Sequence, residues 1–226
     1  AKMIYVLRTG KSDASAYNDD YTTFTDINGH WARGYIKYCQ SLGIIAGKSS
    51  TTFAPNAQVT AQEAAKMLLV TLGYDATKAG LTGAGWASKT NALADENGLL
   101  KDVNTSFTAA CPRQYAAQIL YNALDMERVV WSNDIEDFKP ATDVKDDKTI
   151  GAKYMDLVKT DAAQRLSVKK TSGKDTYEIK LLTDEKDKAG NYIVEEYTKV
   201  PTDVSDMIGM YVKVLVKEKS NGNTDV

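Results

Sequence analysis

A single histidine, His30, and two cysteines, Cys39 and Cys111, hold all the imidazole and thiol chemistry of this 226-residue chain. Structural and catalytic zinc sites take three or four ligands from such groups. The sequence has no Cys-x-x-Cys pair and no His-Glu-x-x-His run, so no metal centre of that kind is expected. A Ser-His-Asp mechanism would rest on His30 alone, and no Gly-x-Ser-x-Gly precedes a helix. Gly83-Ala84-Gly85 follows no plausible strand and reads as a loop rather than a phosphate cradle. Carboxylate pairs need no motif, but nothing singles one out. The chain reads as non-catalytic, with no cofactor.

Charge narrows the partners. The 28 basic and 30 acidic side chains give a formal net charge of −2, which does not suit a general nucleic-acid binder. No run approaches the roughly 20 apolar residues of a membrane span. The opening Ala1-Lys2-Met3-Ile4-Tyr5-Val6-Leu7 reads as the middle of an amphipathic helix with no cap ahead of it. A fragment of a longer chain is therefore expected, so a missing signal peptide says little about location.

Composition changes near residue 140. Residues 1–139 carry 13 basic and 14 acidic side chains, against 15 and 16 in the shorter remainder. An Ala-rich helical pattern gives way there to short alternating runs of Val, Ile, Tyr and Thr. The stretch from Asp134 to Asp143 has a proline and no periodicity, and reads as linker.

The first part repeats itself. Trp31-Ala32 recurs as Trp86-Ala87, Gly43-Ile44-Ile45 as Gly98-Leu99-Leu100, and Ala64-Ala65-Lys66-Met67-Leu68 as Ala116-Ala117-Gln118-Ile119-Leu120. The offset falls from 55 to 52, so the second copy has lost three loop residues. Ala1-Lys2-Met3-Ile4 matches Ala65-Lys66-Met67-Leu68, which makes it the tail of an earlier copy.

Each copy is a helix, an irregular loop and a second helix. Trp31, Tyr35, Cys39 and Leu42 fall at helical spacing and predict one apolar stripe, with Gly43 at a left-handed C-cap. Phe53 reads as the anchor of a polar loop. Thr60-Ala61-Gln62-Glu63 spells a capping box for a helix that runs to Leu72 and stops at Gly73. Cys39 aligns with Ala94 and Cys111 with Val59, so both read as small buried hydrophobes, and a bridge between them is not expected. One unit cannot bury its own stripe, so copies must pack together.

These residues resemble the S-layer homology (SLH) family of bacterial wall-anchoring modules. Phe24-Thr25-Asp26-Ile27, Gly29-His30-Trp31-Ala32, Ile36, Gly43-Ile44-Ile45-Ala46-Gly47 and Phe53-Ala54-Pro55 stand in the family's order. The second copy keeps Trp86-Ala87, Gly98-Leu99-Leu100 and Arg113, but has Asn91 where Ile36 stood and no Phe-x-Asp head.

The resemblance implies helix-loop-helix units around a pseudo-threefold bundle; with the change in pattern beyond residue 140, the expected chain is α+β multidomain, ending in a small antiparallel β domain. The expected layout is a truncated unit over 1–20, a unit over 21–80, a diverged unit over 81–130, a linker over 131–150 and the β domain over 151–226. It implies a bacterial cell-surface location and grooves that bind an anionic secondary cell-wall polysaccharide, pyruvylated in many relatives. In the family the arginine of a Thr-Arg-Ala-Glu run is a principal contact for the anionic sugar. Arg113 holds that position in the second copy, followed by Gln114, and Ala61 holds it in the first. A guanidinium fork matches a carboxylate, and a helix start adds free amides.

Trp31 and Trp86 are either sugar platforms or wall and core packing. Asp26 is either a ligand contact or a loop tie, and His30 either a cap or a contact. Gly47 completes the glycan-binding set. A structural self-assembly module, packing against itself or surface-layer neighbours, is the alternative reading.

After about residue 163 the pattern turns to strands. Arg165–Lys169, Tyr177–Leu181, Tyr192–Val194 and Tyr211–Val216 read as strands of a small antiparallel sheet or barrel. Val204–Ile208 reads as a helical plug for one end.

Overall fold

Five α-helices form within the first 125 residues because apolar side chains recur there every three or four positions and glycines end several of the runs. The computed structural model describes residues 1–141, 148–218 and 224–225. It divides into two units, Ala1–Met155 and Asp156–Val226. The fold is α+β, with six α-helices and two antiparallel sheets among the described residues.

In the first unit, α1 (Lys2–Thr9) packs on α2 (Arg33–Ser41) through Tyr5, which is 2% exposed. Its ring meets those of Tyr17, Tyr35 and Tyr38 edge-on at 5.9, 5.2 and 5.0 Å, the favoured geometry for aromatic pairs. The chain leaves α2 through Gly43 at φ +69°. The Gly43 amide donates to the Gln40 carbonyl and that of Ile44 to Cys39, a Schellman motif.

Trp31 and Leu42 depart from the expected stripe. They flank α2 rather than lie within it, and are 70% and 41% exposed, while Tyr35, Ile36 and Cys39 are buried.

Thr60 caps α3 (Ala61–Leu72). Its side chain accepts the Glu63 amide at 3.2 Å, and the Glu63 carboxylate accepts the Thr60 amide at 2.8 Å. Helix α3 packs against both α4 (Trp86–Glu96) and α5 (Arg113–Leu124). The segments leading into α3 and α5 are joined by hydrogen bonds from Cys111 to Val59 and from Gln62 to Phe107. Both cysteines are free.

Residues 129–140 do not run as an open linker. They form a hairpin of β1 (Val129–Ser132) and β2 (Asp137–Pro140), with Trp131 opposite Phe138. The Phe138 ring lies 4.8 Å from that of Tyr74. A Cβ at Gly73 would stand 2.0 Å from the Val129 carbonyl oxygen, so the hairpin backbone meets the end of α3 where only glycine fits. The part of the expected linker over 142–147 lies outside the described residues. Beyond it, α6 (Ile150–Met155) packs on α1 and α5 with Ile150 fully buried. This places 150–155 with the helices rather than with the β domain.

The second unit is a five-stranded antiparallel sheet in the order β5-β4-β3-β6-β7. Its strands are β3 (Leu157–Lys170), β4 (Tyr177–Lys186), β5 (Tyr192–Val200), β6 (Tyr211–Glu218) and β7 (Thr224–Asp225). Strand β3 pairs with β6 over its first half and with β4 over its second, with register shifts in between. Strand β7 also lies beside β5.

Ile179, Leu181, Tyr197, Val200, Val214 and Val216 form the core of this unit. The side chains of 158–166, including Arg165 and Leu166 of the first expected strand, lie outside the described residues. The expected plug is only a 3-10 turn at Ser205–Met207. Val204 reaches the core, whereas Met207 and Ile208 remain 41% and 50% exposed.

Candidate functional site

Two loops of the first unit are tied together by one carboxylate. Asp26 accepts the amides of Phe53 at 2.9 Å and Ala54 at 2.7 Å. These bonds favour the charged form, the Phe53 amide foremost, and hold the Asp26 carboxyl below its usual range. Ala54 takes φ +60°, a conformation unusual for alanine, and the Asp26 bond to its amide helps fix it there.

Beneath this tie, Phe24 and Phe53 pack with centroids 5.5 Å apart. Gly47 closes over Phe24 at φ +75°. A Cβ there would meet the Phe24 ring at 2.4 Å and the Thr52 carbonyl oxygen at 2.8 Å.

His30 sets the start of α2. Its Nδ1 accepts the Ala32 amide at 3.1 Å, which leaves the Nε2 hydrogen for Asn56 Oδ1 at 3.2 Å. Trp31 follows it, with its ring 5.6 Å from the imidazole and 6.1 Å from Tyr35.

These elements frame a groove of about 530 Å³. Its aliphatic lining includes Ile36, Ile44 and Met67; its aromatic lining is Phe53, Trp31 and, from α4, Trp86. Three lysines line it, Lys2, Lys48 and Lys66, against one acid, Glu63. Lys48 pairs with Glu63. Burial pushes the Glu63 carboxyl up, but the Lys48 ammonium and the Thr60 amide outweigh it, and the group sits below its ordinary value. The Lys66 ammonium lies over the Trp86 ring at 5.2 Å, and burial lowers its pKa against the opposing charge of Glu63.

Trp31, Gly47 and Trp86 therefore come together. Asp26 stands outside the lining and serves the loop behind it. Arg113 and Gln114 are exposed in the first turn of α5 and do not line the groove. The lysines were not singled out by sequence reasoning. The available signal was local: Lys48 directly follows Gly47, and Lys66 lies one helical turn beyond Glu63 of the capping box.

The arrangement has open aromatic surface, positive charge and no nucleophile–base pair. It can bind a ring-bearing anion by stacking and charge. Residues 23–65 match the family model of the S-layer homology domain. That span holds the Asp26 tie, Trp31, Gly47 and the capping box of α3. Over these residues the chain is thus similar to S-layer homology domains, which in general anchor surface proteins to the cell wall by binding its polymers. No curated protein and no solved structure matches the chain.

Proposed function

We propose that the helical unit attaches a secreted bacterial surface protein to an anionic secondary cell-wall polysaccharide, of which a pyruvylated glycan is one form. The groove lined by Trp31 and Trp86 is the main contact in this reading. One observation carries it: two tryptophans and three lysines share one cavity with a single acid. Trp31 offers the platform for a sugar ring because it is 70% exposed. Gly47 keeps the loop backbone close to Phe24. Arg113 and Gln114, exposed at the start of α5, add a separate and smaller contact.

The pseudo-threefold arrangement of repeated units belongs to the same reading. Its support is that α3 and α5 are both 12-residue helices packed on each other.

Titration of purified wall polysaccharide into the protein tests the proposal. Saturable binding that falls in Trp31→Ala is the expected result, and no binding by the wild type overturns it. Self-assembly has one observation in its favour: Ile208, Met210 and Tyr211 are 50%, 56% and 72% exposed in the second unit. Sedimentation separates the readings, since a wall anchor stays monomeric as concentration rises and an assembly module does not.

A further inference from the structure

The groove has one acid, and both of its oxygens are in use. Glu63 Oε1 takes Lys48 and Oε2 takes the Thr60 amide. Lys48 is thereby neutralised within the protein. Lys66, three residues along α3 from Glu63, has no carboxylate within ion-pair distance among the described residues and instead lies over Trp86. A cation held on an aromatic face keeps its charge while losing part of its hydration, and so gains from an arriving anion. The position where an arginine would open α3 holds Ala61, which is fully buried and offers no charge.

We propose that Lys66, half-buried where Lys2 is exposed over Tyr35, is the residue that recognises the acidic substituent of the bound polymer, a carboxylate, while Lys48 serves to hold Glu63 and the capping box. This rests on the glycan-binding reading of the groove. Trp86 has a positioning role: it comes from the next helix pair and fixes where the ammonium stands. A lysine reads charge with three rotatable donors, whereas an arginine fork reads a planar pair of oxygens. Recognition here therefore depends on the presence of the charge more than on its orientation.

The test compares purified wall polysaccharide with the same polymer after its carboxyl groups are reduced to alcohols. Affinities are measured for the wild type, Lys66→Met, Lys66→Arg and Lys48→Met, with thermal melts to confirm folding. The wild type should lose about tenfold in affinity on carboxyl reduction. Lys66→Met should lose the same factor toward the native polymer and bind both polymers alike. Lys66→Arg should keep the discrimination, and Lys48→Met should keep it while melting lower.

If Lys66→Met still discriminates as the wild type does, or Lys48→Met alone abolishes discrimination, the assignment is wrong although the groove still binds glycan. If the wild type binds neither polymer, the groove reading and this assignment fall together.

Discussion

Asp26 and Phe53 are 27 residues apart in sequence, yet the Asp26 carboxylate accepts the Phe53 amide at 2.9 Å and the next amide at 2.7 Å. The approach to α2 and the loop on the way to α3 are held as one piece by that carboxylate. Asp26→Ala should lower the melting temperature and weaken glycan binding together, because the loop it frees carries part of the groove wall. The folded Asp26 carboxyl titrates below its unfolded value, so its contribution is present above about pH 4 and is lost as pH falls through the lower folded pKa. Melts of wild type and Asp26→Ala should converge in acid; a constant gap down to pH 2 would rule this tie out.

The capping box gives a second acid-sensitive element. Thr60→Ala should cost about 1 kcal/mol of stability in denaturant titrations. Glu63 is also held below its unfolded value, so its stabilisation is complete above the ordinary glutamate range and disappears as pH falls through the folded pKa. Glu63→Gln should remove that part of the pH dependence. The Lys48–Glu63 pair is half exposed at the lysine end, so raising salt should affect stability only slightly.

Gly47→Ala should destabilise by roughly 2–5 kcal/mol, since a left-handed backbone and a clash act together. The Phe24 ring that a new Cβ would strike is 3% exposed and cannot swing into solvent. A variant that melts within a degree of the wild type would show that the loop relocates freely.

Trp31 allows binding and folding to be measured apart, since it is 70% exposed. Being mostly exposed, Trp31→Ala should change stability by no more than about 0.5 kcal/mol while lowering glycan affinity about tenfold. Arg113→Ala should lower affinity less, because Arg113 lies outside the groove lining. Isothermal titration of the two variants against one polymer preparation orders them directly.

Burial pushes the Cys39 thiol up to about 11, and only the thiolate is nucleophilic. Iodoacetamide at pH 8 should label Cys111 well before Cys39 in the native protein, with the rates converging in denaturant. Mass spectrometry of timed aliquots reads this, and equal native rates would contradict the buried placement.

Much of the helical unit was legible because its signals are local. A capping box is written within four residues, and Gly43 and Gly73 end their helices by their own conformational freedom. Exposure was harder to read. Trp31 shares the helical period of Tyr35 and Cys39, but it precedes the first turn of α2, so the period does not turn it inward. The hairpin at 129–140 had no local signal either. Its strands are four residues each, and Phe138 is held by Tyr74, more than 60 residues earlier. The setting of Lys66 depends on Trp86, which lies beneath it from another helix pair 20 residues on in the chain.

The strip around Arg128 is bonded on both sides: its amide donates to the Lys148 carbonyl at 2.7 Å, and its own carbonyl accepts the Ala141 amide at 2.8 Å. Next to it, Glu127 bridges Thr149, one residue before α6 docks on α1 and α5. If this unit is the anchor proposed above, tension entering at Asp156 would meet α6 and this laced strip before it meets the groove. In the proposed wall-anchoring reading, those hydrogen bonds and buried Ile150 would be loaded before the groove loops are.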